Sequence, residues 1–359
     1  MSPGRLSELG FDANQRAAFD LMATGDEQLV PGRIVASHGA LHRVATETSE
    51  VLAEISGRLR HEARSVLDLP AVGDFVAAAL RTGEERGTIH AVLPRRSRFV
   101  RGAAGENTRE QVVAANVDSV FLVSGLDRDF NPRRIERYLS LAFDSGAVPV
   151  ILLNKADLRD DADQCLAQVV ALAPGTPVHL LSARPGVGLD ALEDYLQPRR
   201  TLALLGSSGV GKSTIVNKLL GREHFPTREV RLVDQRGRHT TSHRELVSLP
   251  GGALLIDTPG MRELQLWSAG SGVSDAFTDI VELAPDCRFR DCGHGNEPGC
   301  AVTAAIRNGA LPAARLESYA KLQAELKALE TRQDALARRT QRKSWASIHK
   351  SARKHKPRG

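Results

Sequence analysis

The spacing of apolar residues changes three times along this chain. Between 31 and 93 the apolar positions come in short runs separated by turn signals. Residues 32–37 are followed by the turn His38-Gly39-Ala40, then by 41–46, by the alternating stretch 51–59, by Asp74-Phe75-Val76 and by 88–93, which ends at Pro94. About five short strands in about 60 residues predict a small barrel, with an OB-fold as the natural candidate. The residues before it, 1–30, read as a short helical lead-in. Residues 94–109, with Arg95, Arg96, Arg98 and Arg101, read as a linker.

After the linker the rhythm becomes apolar run, amphipathic stretch, apolar run. Buried strands are predicted over 117–124, 149–153, 178–182, 201–205 and 253–256, and helices over 132–145, 162–172, 189–196 and 212–220. Alternating strands and helices predict a parallel sheet covered on both faces. A final long helix is predicted over 311–337. There Leu316, Tyr319, Leu322, Leu326, Leu329 and Leu336 recur at helical spacing and form one apolar stripe. Its expected role is packing on the segment before it or on the sheet domain. No internal repeat is present.

Chemistry sits at the ends of the predicted strands, where open α/β sheets bind their ligands. Gly206-Ser207-Ser208-Gly209-Val210-Gly211-Lys212-Ser213 fills every position of a phosphate loop. Its glycines allow backbone N–H groups to turn towards phosphates, and the following helix adds its positive end. Lys212 is expected on the β- and γ-phosphates, Ser213 on magnesium and Thr214 beside the α-phosphate. Asn154-Lys155-Ala156-Asp157 ends the strand 149–153. A carboxylate at Asp157 can accept two hydrogen bonds from guanine, whereas adenine offers no such donor pair and would leave the carboxylate unpaired. Asn154 is expected to brace the neighbouring loop and Lys155 to cover the ring. Ser182-Ala183 ends the next strand, beside the expected base site. Asp257-Thr258-Pro259-Gly260 ends the strand 253–256. Asp257 is expected to hold magnesium through a water, and Gly260 to offer its N–H to the γ-phosphate.

The order of these motifs is unusual. In an ordinary small GTPase the phosphate loop precedes the base reader; here the base reader comes first, on a chain cut and rejoined elsewhere. Between the phosphate loop and Asp257 lies Arg236-Gly237-Arg238-His239-Thr240-Thr241. Either Thr240 or Thr241 is expected on magnesium as the first switch, with Thr241 favoured. Met261 stands where many GTPases carry the glutamine that orients the attacking water. A thioether cannot do that, so intrinsic hydrolysis is expected to be slow, with His239 a candidate for the missing water-positioning group.

Of the 4 cysteines, three fall between 287 and 300. Cys287-x4-Cys292-x-His294-x5-Cys300 offers three thiolates and one imidazole, a complete tetrahedral set for a structural zinc with no open position. Cys165, in a predicted helix, reads as a core residue.

Charge adds one point. The net +5 is set by the tail: 338–359 holds nine of the 48 basic residues and no acid, leaving 39 basic against 43 acidic elsewhere. A basic tail on a mildly acidic body points to a polyanionic partner such as nucleic acid. No apolar run reaches the length of a membrane span. The first ten residues lack a basic-then-apolar leader, so a cytoplasmic monomer without membrane contact is expected.

The motif order, the Arg-His-Thr-Thr segment and the cysteine spacing together resemble the ribosome small subunit-dependent GTPase A family (RsgA, also called YjeQ) of circularly permuted GTPases, over nearly the whole chain from Pro31. That resemblance implies an α/β multidomain fold: an OB-fold barrel over 31–95, a permuted P-loop GTPase over 110–268, and a zinc-binding helical domain over 269–337 ahead of the basic tail. It implies GTP or GDP with Mg2+ at residues 154–157 and 206–214, and one structural Zn2+ on Cys287, Cys292, His294 and Cys300. It also implies a late role in maturing the small ribosomal subunit, docked on its rRNA, with hydrolysis stimulated by the subunit and coupled to release. The alternative is a GTP-gated RNA-binding module in which hydrolysis is incidental.

Overall fold

The computed structural model describes residues 4–24, 28–81, 83–101, 110–128, 130–223, 244–257, 271–295 and 297–331. Five strands, β1 (Leu29–His38), β2 (Leu41–Thr46), β3 (Glu50–Ile55), β4 (Phe75–Leu80) and β5 (Arg86–Val92), close on themselves because β1 pairs with both β2 and β4. In β3, Val51 and Ala53 point inward while Glu50, Leu52 and Glu54 face out, the period-two pattern of a one-sided strand. β1 is shared by two partners because it bends at a register shift between Ile34 and Ala36. Before the bend it pairs with β4 from Leu29 to Arg33. The lead-in is part of this unit: Leu6, Phe11 and Phe19 pack on Phe75, Ala77 and Leu93.

The second half of the sheet runs in the order β10 (Val178–Leu181), β9 (Val148–Asn154), β8 (Ser119–Gly125), β11 (Thr201–Leu205), β13 (Leu254–Asp257) and β12 (Arg244–Ser248). The first five are parallel and β12 is antiparallel to β13. The parallel strands read as continuous apolar runs because both faces are covered. Val120, Leu122, Ile151, Leu153, Ala203 and Leu205 face one core, which also holds Ile135, Leu139, Cys165 and Val169 from the helices Pro132–Ser145 and Ala162–Leu172. Phe121, Val123, Val150, Leu152, Leu202 and Leu204 face the other, with Ile215 and Val216 of helix Lys212–Leu220. Helix Pro132–Ser145 starts with an Asn131 cap and a proline in its first turn, and ends at Gly146 in the left-handed region.

Two expectations are corrected. The described part of the segment expected as a linker holds a strand: β6 (Arg98–Arg101) pairs with β7 (Gln111–Ala115), while 102–109 lie outside the described residues. Arg95 there is a partly buried anchor rather than a solvated charge, bonding both carboxylate oxygens of the fully buried Asp74 at 2.7 Å and the Leu69 carbonyl at 2.7 Å. The segment 189–196, expected as an α-helix, forms a 3-10 helix over Asp190–Tyr195. It has no side-chain cap, and Pro198 follows shortly, which leaves room only for tight turns. The strand β12, which lies between β13 and β1, was not anticipated. Its charged start, Arg244-Glu245, reads as loop until β1 is there to pair with it.

β12 joins the two halves. Ala36 and Ser37 of β1 pair with Glu245 and Arg244, and Arg43 bonds Glu245 at 2.5 Å. Deeper in the seam Arg33 is completely buried. Its guanidinium donates to the carbonyl oxygens of Leu9 (2.5 Å) and Gly73 (3.2 Å) and to the Thr201 hydroxyl (2.9 Å), and it stacks over the Phe75 ring. Burial pushes its pKa down to about 9, against support from the Asp118 carboxylate, so it remains charged at neutral pH.

Past the parallel sheet, helix Gly272–Ala276 and a helix over 313–331 lie against helix Pro132–Ser145, and helices Thr278–Leu283 and Ala301–Arg307 pack on each other. Leu322 and Leu326 are buried, with Leu316, Tyr319 and Leu329 packed beside them, as the apolar stripe predicts; Leu336 lies outside the described residues. Among the described residues no helix is long and apolar enough to cross a membrane.

Replacing Arg33 by Ala strips donors from buried acceptors in the lead-in, the barrel and β11. Each unpaired acceptor costs about 1–3 kcal/mol, so a loss of roughly 3 kcal/mol or more is expected. Urea unfolding should show the midpoint falling, with Arg33→Lys, which cannot fork, recovering less than half. A wild-type midpoint for Arg33→Ala would show that the guanidinium does not hold the seam.

Candidate functional site

The site is built at the C-terminal ends of β9, β10, β11 and β13. Asn154, the last residue of β9, is 2% exposed and spends both ends of its amide. Its Nδ2 donates to the Val210 carbonyl of the phosphate loop at 2.8 Å, and its Oδ1 accepts from the Ala183 N–H at 2.9 Å. Next along, Lys155 is in the left-handed region and its ammonium bonds Asp127, just past β8, at 2.5 Å. Asp157 sits in a single tight turn whose N–H is held by the buried Ser182 hydroxyl at 3.0 Å, while the residue itself is exposed. The base-reading tetrapeptide and Ser182-Ala183 therefore form one ledge, with the Asp157 carboxylate at its open rim. The Ala183 N–H is engaged by Asn154 within this ledge.

β11 runs directly into the phosphate loop. A Cβ on Gly206 would meet the Val123 carbonyl at 2.3 Å, and one on Gly211 would meet Asn154 Nδ2 at 2.1 Å; Gly211 also has φ of +101°. Glycine at 211 is thus required twice, by backbone conformation and by the Asn154 bond. The helix starts at Lys212, so Ser213 and Thr214 lie in its first turn, directly after the loop. Lys212 folds back, its ammonium bonding the carbonyls of Gly206 (2.6 Å) and Ser207 (2.5 Å). Those carbonyls satisfy the cation within the loop; phosphate oxygens are stronger partners for it. Ser208 and Gly209 are exposed at the loop's tip.

Asp257 ends β13, whose Ile256 is in register with Ala203 of β11, so its carboxylate is on the strand next to the phosphate loop. The residues around it in sequence, Thr258, Pro259, Gly260 and Met261, and the switch residues His239, Thr240 and Thr241, lie outside the described residues.

Three contacts were not anticipated. Asp127 holds Lys155. Arg134 Nη1 donates to the Ser207 hydroxyl at 2.9 Å, and the Tyr138 hydroxyl lies 3.2 Å from the same oxygen. The only signal in the sequence was spacing: 134 and 138 share one face of a predicted helix, but nothing local says which loop that face meets.

The cysteine cluster is assembled. The ligand atoms of Cys287, Cys292, His294 and Cys300 all lie within 4.8 Å of one another. His294 Nδ1 is 3.6 Å from Cys287 Sγ and from Cys300 Sγ, and those two sulfurs are 3.9 Å apart. Tetrahedral zinc with Zn–S of about 2.3 Å and Zn–N of about 2.0 Å sets S···S near 3.8 Å and S···N near 3.6 Å. The donor set therefore fits zinc in spacing as well as in chemistry. The four cysteines of the chain are free thiols, and Cys165 is buried in the core as expected.

A five-stranded barrel, a P-loop sheet whose base-side loop comes before its phosphate loop, and a Cys3His cluster define a circularly permuted GTPase. A family model described as RsgA GTPase matches residues 92–267. A relative from Opitutus terrae, named small ribosomal subunit biogenesis GTPase RsgA, is 48% identical over 97% of each chain. One of the same name from Methanosarcina acetivorans is 46% identical, covering 82% of this chain and 79% of its own. The crystal structure of YjeQ from Thermotoga maritima aligns with a TM-score of 0.61 at 26% identity, over 83% of this chain and 98% of that one. That of YloQ, described as a circularly permuted GTPase, gives 0.59 at 23% identity over 85% and 97%, and speaks for the fold. The chain belongs to the RsgA GTPase family.

The cluster geometry predicts about one equivalent of zinc per chain by elemental analysis, in line with other Cys3His structural sites. Cys300→Ser should lose that metal and lower the thermal midpoint, and a strong chelator should do the same to the wild type. A metal-free wild-type chain of undiminished stability would refute the assignment.

Proposed function

We propose that this chain is a GTP hydrolase that binds the small ribosomal subunit and assists its maturation, with hydrolysis stimulated by the subunit and coupled to release. The observation that carries the reading is the Asn154 bridge, which brings a guanine-type ledge and a complete phosphate loop into one site. The family supplies the class of reaction, and the names of its relatives supply the subunit.

In this reading the exposed Asp157 carboxylate takes the guanine ring N–H and exocyclic amine. Asn154, Ser182 and Ala183 hold the ledge that aims it, and Lys155, steadied by Asp127, covers the ring. The backbone of residues 206–211, Lys212 and the first turn of the following helix take the phosphates, and Thr214 lies at the α-phosphate. Ser213, Asp257 and Thr241 would hold Mg2+, which would supply neutralising charge at the phosphates. Gly260 reports the γ-phosphate. His239 orients the attacking water in place of the glutamine that Met261 replaces. Zn2+ on Cys287, Cys292, His294 and Cys300 is structural. The barrel, the arginine-rich first switch and the basic tail contact rRNA phosphates, as a cytoplasmic monomer.

Hydrolysis of GTP measured with and without purified small subunits, at low and moderate salt, tests this reading. The expected result is a stimulation of roughly tenfold or more that fades steeply as salt rises. Asp157→Asn should shift preference from guanine to xanthine nucleotides, because the amide presents a donor where the carboxylate accepted. Asp257→Asn should leave the protein bound to subunits. Absence of stimulation, or normal release of the Asp257 variant, would sink the coupling.

A further inference from the structure

The phosphate loop has a contact that its motif does not require. Ser207 is the second residue of the loop, a position the phosphate-loop pattern leaves free. Its hydroxyl accepts from Arg134 Nη1 at 2.9 Å and lies 3.2 Å from the Tyr138 hydroxyl. Its carbonyl accepts from the Lys212 ammonium at 2.5 Å. Two cations from different elements thus converge on one residue of the loop. One is the lysine of the motif. The other comes from helix Pro132–Ser145, which the motif does not include.

That helix is held firmly on its other side. Arg315, only 4% exposed, bonds Glu136 Oε1 and Asp279 Oδ2, each at 2.9 Å, and the Ala276 carbonyl at 2.6 Å. Arg137 and Glu325 form a two-pronged pair at 2.5 and 2.7 Å. Arg133 bonds Glu317 at 2.6 Å. Residues 133, 136 and 137 therefore grip the C-terminal helices, while 134 and 138, one helical step round, meet the phosphate loop. These contacts, above all the buried Arg315–Glu136 pair, oppose a roll of the helix that would withdraw Arg134. Fixed charges stabilise a transition state because they need not reorganise as charge develops.

We propose that Arg134 is a positioning residue for GTP hydrolysis. Through Ser207 it holds the phosphate loop in shape and fixes a second positive charge beside that of Lys212, set in place by the docking of the C-terminal helices. The inference rests on the GTPase reading above. In the reaction a water oxygen bonds the γ-phosphorus as the bond to the β,γ-bridging oxygen breaks. GDP and inorganic phosphate leave, with the water's proton ending on phosphate or solvent. Arg134 neither gives nor takes a proton; it acts on charge and geometry. Its role matters more in a chain whose Met261 supplies no polar group.

Arg134→Gln and Arg134→Lys, measured without ribosomal subunits, test it. The readouts are the single-turnover rate of GTP hydrolysis, the affinity for fluorescent GDP, and formation of the GDP–tetrafluoroaluminate complex. Arg134→Gln should slow the single-turnover step roughly 10- to 100-fold while GDP affinity stays within about threefold, and it should lose the fluoroaluminate complex. Arg134→Lys, which keeps the charge, should recover part of the rate. An unchanged rate in Arg134→Gln, or a GDP affinity that falls as far as the rate, would overturn the inference and leave the GTPase reading standing. A wild-type chain that does not turn over GTP would overturn both.

Discussion

The bond from Asn154 Nδ2 to the Val210 carbonyl, with its companion from Ala183 N–H to Asn154 Oδ1, is what makes one site out of three loops. The loops leave β9, β10 and β11, and in a chain permuted this way they arrive in an order that sequence proximity does not help. Only an amide fits between them. A carboxylate would present no donor to Val210, and a shorter side chain would leave buried backbone groups unpaired. The demand reaches the phosphate loop itself, since position 211 has no room for a Cβ beside that amide. The loop 206–213 and the ledge at 154–157 are thereby tied to each other by the chain's own hydrogen bonds.

A second constraint seats the barrel. Arg33 draws its acceptors from the lead-in, from the barrel's own Gly73 and from β11, the strand that feeds the phosphate loop. A guanidinium suits this because its planar fork reaches several carbonyls at once and stacks on Phe75. Farther along the strand from Arg33, β1 pairs with β12 through Ala36 and Ser37. β12 lies in the chain between the phosphate loop and Asp257, so the barrel is attached to the strand that leads into β13.

The C-terminal segment is organised from two ends. At one, four ligand atoms within 4.8 Å gather a stretch too small for a core of its own. At the other, the buried Arg315 and the pairs at Arg133 and Arg137 join the last helices to helix Pro132–Ser145. Of these only the Arg315–Glu136 pair is buried; a buried pair is weak evidence for added stability, but it fixes register, because another docking leaves its charges unpaired. That register delivers Arg134 to Ser207.

Several features were written in the sequence because their physics is local. A phosphate loop, a zinc-type ligand set and an apolar strand are each defined by neighbours within about fifteen residues. So Thr201–Leu205, Lys212–Leu220, Ala162–Leu172 and the stripe through Leu322 and Leu326 follow from spacing and caps alone. The motif order also identified the permutation. Where neighbours are distant the sequence was silent or misleading. Arg95 reads as a linker charge until Asp74 is folded against it, and Arg244-Glu245 reads as loop until β1 arrives. Arg33 looks like any arginine in a strand, Asp127 like any turn residue, and Arg134 like any helix-surface cation. Chemistry that depends on one strand or helix meeting another across the chain was decided only by the tertiary structure, because charge and hydrogen-bond capacity are local properties while their partners are not.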